Sequence, residues 1–374
     1  MMSDEIYVNF LPWLTIYKDV KLGKVTFWNY EREADEQVED EKIRKRLERH
    51  FDSYRSSNNS RFSITICSYE GKSFYNNLDE QEFIHLQEAI TCLVFASTIE
   101  KIERRIQTQQ KHEVPPSINS FDLMSRSLNI NSDNYAHVSL SLIDLGLRDG
   151  NILFQKPFGA RGEVNPSRKW IKYLNTYLAL KDSSKLKTQI SRSLEFFRIA
   201  QAQDDLKDNS PDTSFFTRSV LLATAFESLL NFPKDIKADF FSNYINDRFK
   251  IGRSRKSTRK FWNNKRTICR LKTRSTVAWW AFDFYKLRNS IVHGDSIDFE
   301  KLRFKKGLWF SQMDVACLVF ADCLEEIIRA RKLIKGKKIK IGRSSIDDLF
   351  IDDLFESRGQ KNWEKHHKSL GWIK

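Results

Sequence analysis

The chain changes from strand-type to helix-type sequence patterns near residue 165, and this change constrains its fold more than any other feature. Before it, segments that alternate apolar with polar residues or are rich in β-branched residues predict strands; they are KVTFWNY (24–30), RFSITICSY (61–69), AHVSLSLIDL (136–145) and NILFQ (151–155). After it, apolar residues recur at helical spacing. The sequence therefore predicts an α+β protein, with an N-terminal mixed α/β domain followed by an all-α bundle of four or five helices.

Prolines mark the same transition. Four of the seven lie in the segments KHEVPPSINS (111–120) and KPFGARGEVNPSRKW (156–170), and a length of 374 residues suffices for two domains. We place the boundary at residues 163–166. This gives a mixed domain of residues 1–165, a bundle of residues 166–336 that contains a basic insertion (248–274), and a tail of basic and acidic residues (337–374).

Several helices can be located from their patterns. The charged segment 31–54 predicts an exposed helix, and Asp79 followed by Glu82 predicts the capped start of a longer one. Beyond the boundary we expect four bundle helices; apolar positions begin at Leu186, Phe215 and Val277 in the first three, and the fourth helix opens at Ser311. The third should end at Gly294, because glycine is preferred just past a helix C-terminus.

Positive charge is concentrated in one segment. Lys and Arg exceed Asp and Glu by 63 − 49 = 14 over the whole chain, and the segment from Arg248 to Arg274 holds twelve bases without an acid. The simplest partner for such a run is a nucleic acid, although an anionic membrane surface remains an alternative. The residues that we expect to bind RNA are Arg253, Arg255, Lys256, Arg259, Lys260, Trp262, Lys265 and Arg266.

Composition excludes several other classes of function. No apolar run is long enough to span a membrane, and the acidic N-terminus does not resemble a signal peptide, so we expect a cytoplasmic protein that is not bound to a membrane. The five cysteines are odd in number and have no C-x-x-C spacing, which favours free thiols over disulfides or a zinc site. Motifs for ATP or dinucleotide binding and for serine hydrolases do not occur. We therefore expect neither a metal nor a cofactor.

The segment KLRNSIVHGD (286–295) holds the strongest candidate site. Asn289 and His293 share one face of the predicted helix, whereas Arg288 projects from the neighbouring face. An imidazole and a guanidinium can catalyse, without a metal, the attack of an RNA 2′-hydroxyl on the adjacent phosphodiester. His293 would act as general base or acid, Arg288 would stabilise the charged transition state, and Asn289 would orient the ribose or the imidazole.

These residues resemble the motif of the HEPN superfamily, which is Arg, a polar residue, any three residues and His. The segment LRNSIVHG, preceded by a helix of the type LLATAFESLL, is most similar to the Apea-like subgroup, several of whose members are bacterial anti-phage effectors. The resemblance covers about residues 166–335. It implies a metal-independent endoribonuclease that acts as a homodimer, with two copies of the motif in one cleft. From it we hypothesise a toxin of abortive infection, whose N-terminal domain either senses a trigger, such as one derived from a phage, or restrains the bundle.

Other interpretations stay open from the sequence alone. The chain could be a non-catalytic HEPN protein that binds RNA or a partner, or a DNA-binding regulator that uses the basic run. Glu227, in the most apolar helix, needs a counter-charge if buried, from either Arg288 or Arg218. Asp295 either hydrogen-bonds His293 or begins the next loop. The repeated pentapeptide IDDLF (346–355) either docks on a groove or forms a short capping helix.

Overall fold

The structure of the protein, a computed structural model, describes residues 4–55, 63–108, 118–131, 145–148, 151–155, 162–201, 213–248, 256–262, 269–295 and 312–331. The chain divides into two compact units. Unit 1 contains Met1–Arg104 and His112–Asn209, and unit 2 contains Arg105–Lys111 and Ser210–Lys374. Unit 1 holds a mixed sheet-and-helix structure and unit 2 is mainly helical, which confirms the predicted α+β fold class.

Unit 1 is built around an antiparallel five-stranded sheet of order β3-β4-β6-β1-β7. Its strands and those of two smaller sheets are β1 (Glu5–Leu11), β2 (Thr15–Ile16), β3 (Val20–Leu22), β4 (Val25–Asn29), β5 (Tyr54–Arg55), β6 (Thr65–Tyr69), β7 (Met124–Asn129), β8 (Leu145–Arg148), β9 (Asn151–Gln155) and β10 (Glu163–Val164). Three of the four predicted strands are thus confirmed, by β4, β6 and β9. Nearly all of the fourth, residues 136–145, lies outside the described residues.

The charged segment 31–54 forms two helices rather than one, α1 (Tyr30–Gln37) and α2 (Glu41–Phe51). Asp40 separates them, because its side chain caps α2 by accepting a hydrogen bond from the Lys42 N–H at 2.8 Å. The prediction of an exposed helix is wrong for α2. Its Leu47 and Phe51 are fully buried and join the apolar cluster on one face of the sheet, since apolar residues recur there every four positions.

The long helix α3 (Glu80–Thr108) begins as predicted. Asp79 accepts a hydrogen bond from the Glu82 N–H at 2.8 Å, and Glu82 accepts one from the Asp79 N–H at 2.9 Å. This reciprocal pair satisfies two donors at the helix start.

The helices α4 (Arg168–Leu178) and α5 (Lys185–Ala200) belong to unit 1, so the predicted boundary at 163–166 lies inside that unit. Large side chains explain the difference. The rings of Trp170 and Phe197 pack edge-to-face on Phe95 of α3, with centroids 5.2 and 5.1 Å away. In addition, the Asn175 side chain accepts a hydrogen bond from the Gly23 N–H at 2.7 Å. The first of the four predicted bundle helices therefore packs on the mixed domain.

Unit 2 contains the helices α6 (Thr213–Leu230), α7 (Lys237–Arg248), α8 (Thr276–His293) and α9 (Gln312–Ala330). Phe226 of α6 lies at their centre, with its ring 4.6 Å from that of Phe241 and 5.6 Å from that of Phe320. Between α7 and α8 the chain forms an antiparallel hairpin of β11 (Lys256–Trp262) and β12 (Cys269–Ser275). The expectation that strands end before the bundle is wrong at this point.

Candidate functional site

The C-terminal end of α8 has the geometry that the sequence predicts. Gly294 has a left-handed backbone, with φ of 73°, and its N–H donates to the Ile291 carbonyl at 3.2 Å. The Asp295 N–H donates to the Ser290 carbonyl at 2.9 Å. These two bonds close the last turn immediately after His293, whose side chain is exposed. The imidazole is therefore accessible to solvent.

Asp295 follows this cap with an exposed side chain. Its bond to Ser290 uses the backbone N–H and not the carboxylate, which fits the interpretation that Asp295 begins the loop after α8.

Arg288 is partly buried but its guanidinium is not fully hydrogen-bonded. Its side chain is 22% exposed, and its guanidinium lies over the Tyr285 ring at 5.6 Å. One terminal nitrogen donates to Asn289 Oδ1 at 3.2 Å, whereas the buried Nε meets no hydrogen-bond acceptor among the described residues. Buried donors are normally satisfied, and Nη2 lies 3.6 Å from Glu227 Oε1, beyond an ordinary hydrogen bond, so the guanidinium is not fully hydrogen-bonded.

Glu227 projects from α6 towards this arginine. Its Oε1 lies 3.6 Å from Arg288 Nη2. Of the two arginines that the sequence offered as a counter-charge, Arg288 and Arg218, the structure therefore pairs Glu227 with Arg288. The same oxygen accepts a hydrogen bond from the Tyr285 hydroxyl. Burial and this bond to the carboxylate raise the pKa of Tyr285 above its ordinary value. The other oxygen, Oε2, lies 2.6 Å from Lys237 Nζ.

Sequence reasoning did not find Tyr285 and Lys237. Tyr285 precedes Arg288 by three positions, and residues at this spacing are neighbours on a helix surface. The contact between Tyr285 and Arg288 could therefore have been predicted from their spacing. Lys237 is ten positions from Glu227, and the α6–α7 connection lies between them. That proximity depends on how the chain turns, which the local sequence pattern does not specify.

The basic segment is attached to the bundle through its second strand. Arg274 is 4% exposed and donates to Asp239 Oδ1 at 2.6 Å and to Asn243 Oδ1 at 2.8 Å. Lys272 donates to Asp239 Oδ1 at 2.8 Å. Burial raises the pKa of Asp239, but hydrogen bonds from Lys272 and Arg274 outweigh it, so the pKa lies below its ordinary value. These two cations fix the hairpin to α7.

The residues predicted to bind RNA fall on other parts of this segment. Four of them, Lys256, Arg259, Lys260 and Trp262, lie on β11, and their side chains are outside the described residues. The other four, Arg253, Arg255, Lys265 and Arg266, are outside the described residues altogether. In the register of the hairpin, Arg259 is opposite Lys272 and Lys260 is opposite Leu271.

The described residues also give information on metal-binding groups, cysteine pairs and membrane-spanning helices. They contain no group of three or more His, Cys, Asp or Glu side chains that would hold a metal ion. Four cysteines are buried and not disulfide-bonded; they are Cys67, Cys92, Cys317 and Cys323. Within the described residues, no helix has the length and apolar character needed to cross a membrane. The tail and its IDDLF repeat lie outside them.

No protein-family model, no curated protein sequence and no solved structure matches this chain.

Proposed function

We propose that the chain is a metal-independent endoribonuclease whose reaction is carried out by Arg288, Asn289 and His293. The observation that carries the proposal is the state of Arg288, a half-buried guanidinium whose Nη2 lies 3.6 Å from Glu227 Oε1, beyond an ordinary hydrogen bond. An exposed imidazole lies one to two helical turns away on the same helix. An anion-binding group beside an acid–base group suits phosphodiester cleavage.

The reaction needs no external nucleophile. His293 takes the proton of the ribose 2′-hydroxyl, and the 2′-oxygen attacks the adjacent phosphorus. The bond from phosphorus to the 5′-oxygen then breaks, and this oxygen receives a proton from a protonated imidazole or from water. Arg288 binds the phosphoryl oxygens, on which negative charge increases in the transition state. The products carry a 2′,3′-cyclic phosphate and a 5′-hydroxyl.

A pair of chains would supply two copies of these groups. The surface of α8 around the motif includes Val292, which is 51% exposed, and the half-buried Leu287 and Ile291. Apolar side chains beside the site give a second copy a surface to pack against. We therefore propose a homodimer in which two His293 side chains share one cleft, with unit 1 restraining or triggering it. As a cytoplasmic anti-phage toxin, it would cleave RNA when a phage-derived trigger is detected.

The test compares the wild type with Arg288→Ala and His293→Ala on total RNA in excess EDTA. We expect cleavage by the wild type alone, with fragments that end in a 2′,3′-cyclic phosphate. An RNA that carries 2′-deoxyribose at the cleaved position should resist cleavage. Binding by all three proteins without cleavage would instead identify a non-catalytic RNA-binding protein. A preference for duplex DNA would identify a regulator that uses the basic run.

A further inference from the structure

Both oxygens of Glu227 are closer to another donor than to Arg288. Oε1 accepts the hydrogen bond of the Tyr285 hydroxyl, and Oε2 lies 2.6 Å from Lys237 Nζ. The 3.6 Å between Oε1 and Arg288 Nη2 exceeds the ordinary length of an N–H···O hydrogen bond. Each oxygen of this carboxylate thus already accepts a hydrogen bond from a residue outside the HEPN-like motif.

The charge balance of this cluster depends on Lys237. The side chains of Glu227, Arg288 and Lys237 are 19%, 22% and 28% exposed, so water screens their interactions only in part. With Lys237 present the three charges sum to +1. Without it, Glu227 and Arg288 would neutralise each other, and carboxylates readily form bidentate pairs with arginine. Such a pair would occupy the nitrogens that a phosphate needs.

The backbone before Lys237 adopts an unusual conformation. Ile236 has a φ of 52°, in the left-handed region that β-branched residues rarely enter. Its side chain is 75% exposed, so burial of the isoleucine does not compensate for the strain. The Phe240 N–H donates to the Ile236 carbonyl at 2.9 Å, so this residue begins the first turn of α7. Strain of this kind often accompanies a functional constraint, and here it sets the position of Lys237.

We propose that Lys237 and Tyr285 are positioning residues that occupy the Glu227 carboxylate and so leave the Arg288 guanidinium free to bind the scissile phosphate. This inference rests on the proposed ribonuclease function. Glu227 still fixes the location of Arg288 by electrostatic attraction, but it does not take up its hydrogen bonds.

The first experiment measures RNA cleavage by the wild type, Lys237→Ala, Glu227→Gln and the double variant. Lys237→Ala should lower kcat on the order of tenfold, because Glu227 then captures Arg288. Adding Glu227→Gln should restore part of this loss, since a neutral amide no longer captures the guanidinium but also no longer attracts it into position. Lys237→Arg should retain activity because it keeps the charge. The matched control is Lys234→Ala, which removes an exposed cation three positions away.

A second measurement does not depend on catalysis. Phenylglyoxal modifies free guanidinium groups, and mass spectrometry reports the rate at the peptide that contains Arg288. We expect slower modification in Lys237→Ala than in the wild type, and restored modification in the double variant. Thermal melting shows that each variant is folded; if Lys237→Ala is not, Lys237→Gln takes its place.

The two experiments separate the possible failures. Equal losses of activity in Lys237→Ala and the double variant would overturn the positioning role, and so would equal modification of Arg288 with and without Lys237. If the wild type cleaves no RNA, the proposed function fails, and the modification rates still decide whether Lys237 keeps Arg288 free.

Discussion

Glu227 on α6 and Arg288 on α8 face each other with 3.6 Å between a carboxylate oxygen and a guanidinium nitrogen. This distance allows electrostatic attraction without an ordinary hydrogen bond. The arginine is therefore held in place while its Nε has no acceptor among the described residues. A cation that is fixed but not fully bonded is well suited to bind a phosphate.

Replacement of His293 tests whether its role is chemical or structural. His293→Gln should change the free energy of unfolding by less than about 0.5 kcal/mol, because the side chain is exposed. RNA cleavage should fall by at least about a hundredfold, since glutamine does not transfer protons. Urea denaturation and initial cleavage rates measure the two effects. His85→Gln, which alters a histidine in unit 1, is the control and should leave cleavage unchanged; equal rates in both variants would contradict the assignment.

Gly294, which follows His293 with a left-handed backbone, should affect both stability and RNA cleavage. Gly294→Ala should destabilise unit 2 by about 1 kcal/mol through its positive φ alone, because an added Cβ would meet no atom within 4 Å. Cleavage should fall too, since the last turn of α8 sets the position of the imidazole. Gly71→Ala is a matched control with φ of 77° and the same free space. A decrease in cleavage in the control as large as in Gly294→Ala would disprove a local effect.

The strand β11 should contribute to the salt dependence of RNA binding. Replacing Arg259 and Lys260 by serine should reduce the slope of log K against log salt concentration by about 0.7 for each phosphate of single-stranded RNA that the protein no longer neutralises. Binding of a non-cleavable RNA, measured over a range of salt concentrations, gives this slope. Lys45→Ser, which removes an exposed cation from α2, should leave it unchanged. An unaltered slope in the β11 variant would exclude this strand from the interface.

Asp239 should make the stability of unit 2 depend on pH in the acid range. Its pKa is lower in the folded state than the ordinary value of 3.8. The unfolded chain therefore binds the proton first, and the stabilisation is present above this value and is lost as the pH falls below it. Asp239→Asn should lose less stability than the wild type between about pH 5 and pH 3. Urea denaturation at both pH values measures the free energy of unfolding. Equal decreases in the wild type and in Asp239→Asn would contradict the prediction.

His50 should make the stability of unit 1 depend on pH, in a higher pH range than Asp239 does for unit 2. Burial, followed by the charges of Arg126 and Arg46, lowers the pKa of His50 from 6.5 to about 3. Below pH 6.5 the unfolded chain binds a proton that the folded chain does not, so stability should decrease by up to about 1.4 kcal/mol for each further pH unit. His50→Phe, placed among the rings of Phe10, Phe51 and Tyr54, should flatten this dependence. If the free energy of unfolding of His50→Phe depends on pH as steeply as that of the wild type, the role of His50 is refuted.

Local features were predicted well because their determinants lie a few residues apart. The capping box of Asp79 and Glu82 and the end of α8 at Gly294 each depend on one helical turn. The pairing of Glu227 with Arg288 was one of two alternatives, and the structure places these two side chains 3.6 Å apart.

The errors arose where distant parts of the chain meet. A run of cations gave no strand signal, yet β11 and β12 pair, and Asp239 on a separate helix accepts hydrogen bonds from two cations of β12. The helices α4 and α5 fall in unit 1 and not with the bundle, because helical periodicity shows that α5 has an apolar face but not which element covers it. That face packs on Phe95 of α3.

By itself, the sequence determined several helix ends, three of the strands, the concentration of positive charge and the Arg–Asn–His motif, because each depends on residue types at short spacing. The tertiary structure alone decided which carboxylates the cations meet and how free Arg288 remains. The position of Lys237 beside Glu227 follows from a left-handed turn at Ile236 and from the packing of α7 on α8. Such contacts depend on the path of the whole chain, which short-range patterns do not specify.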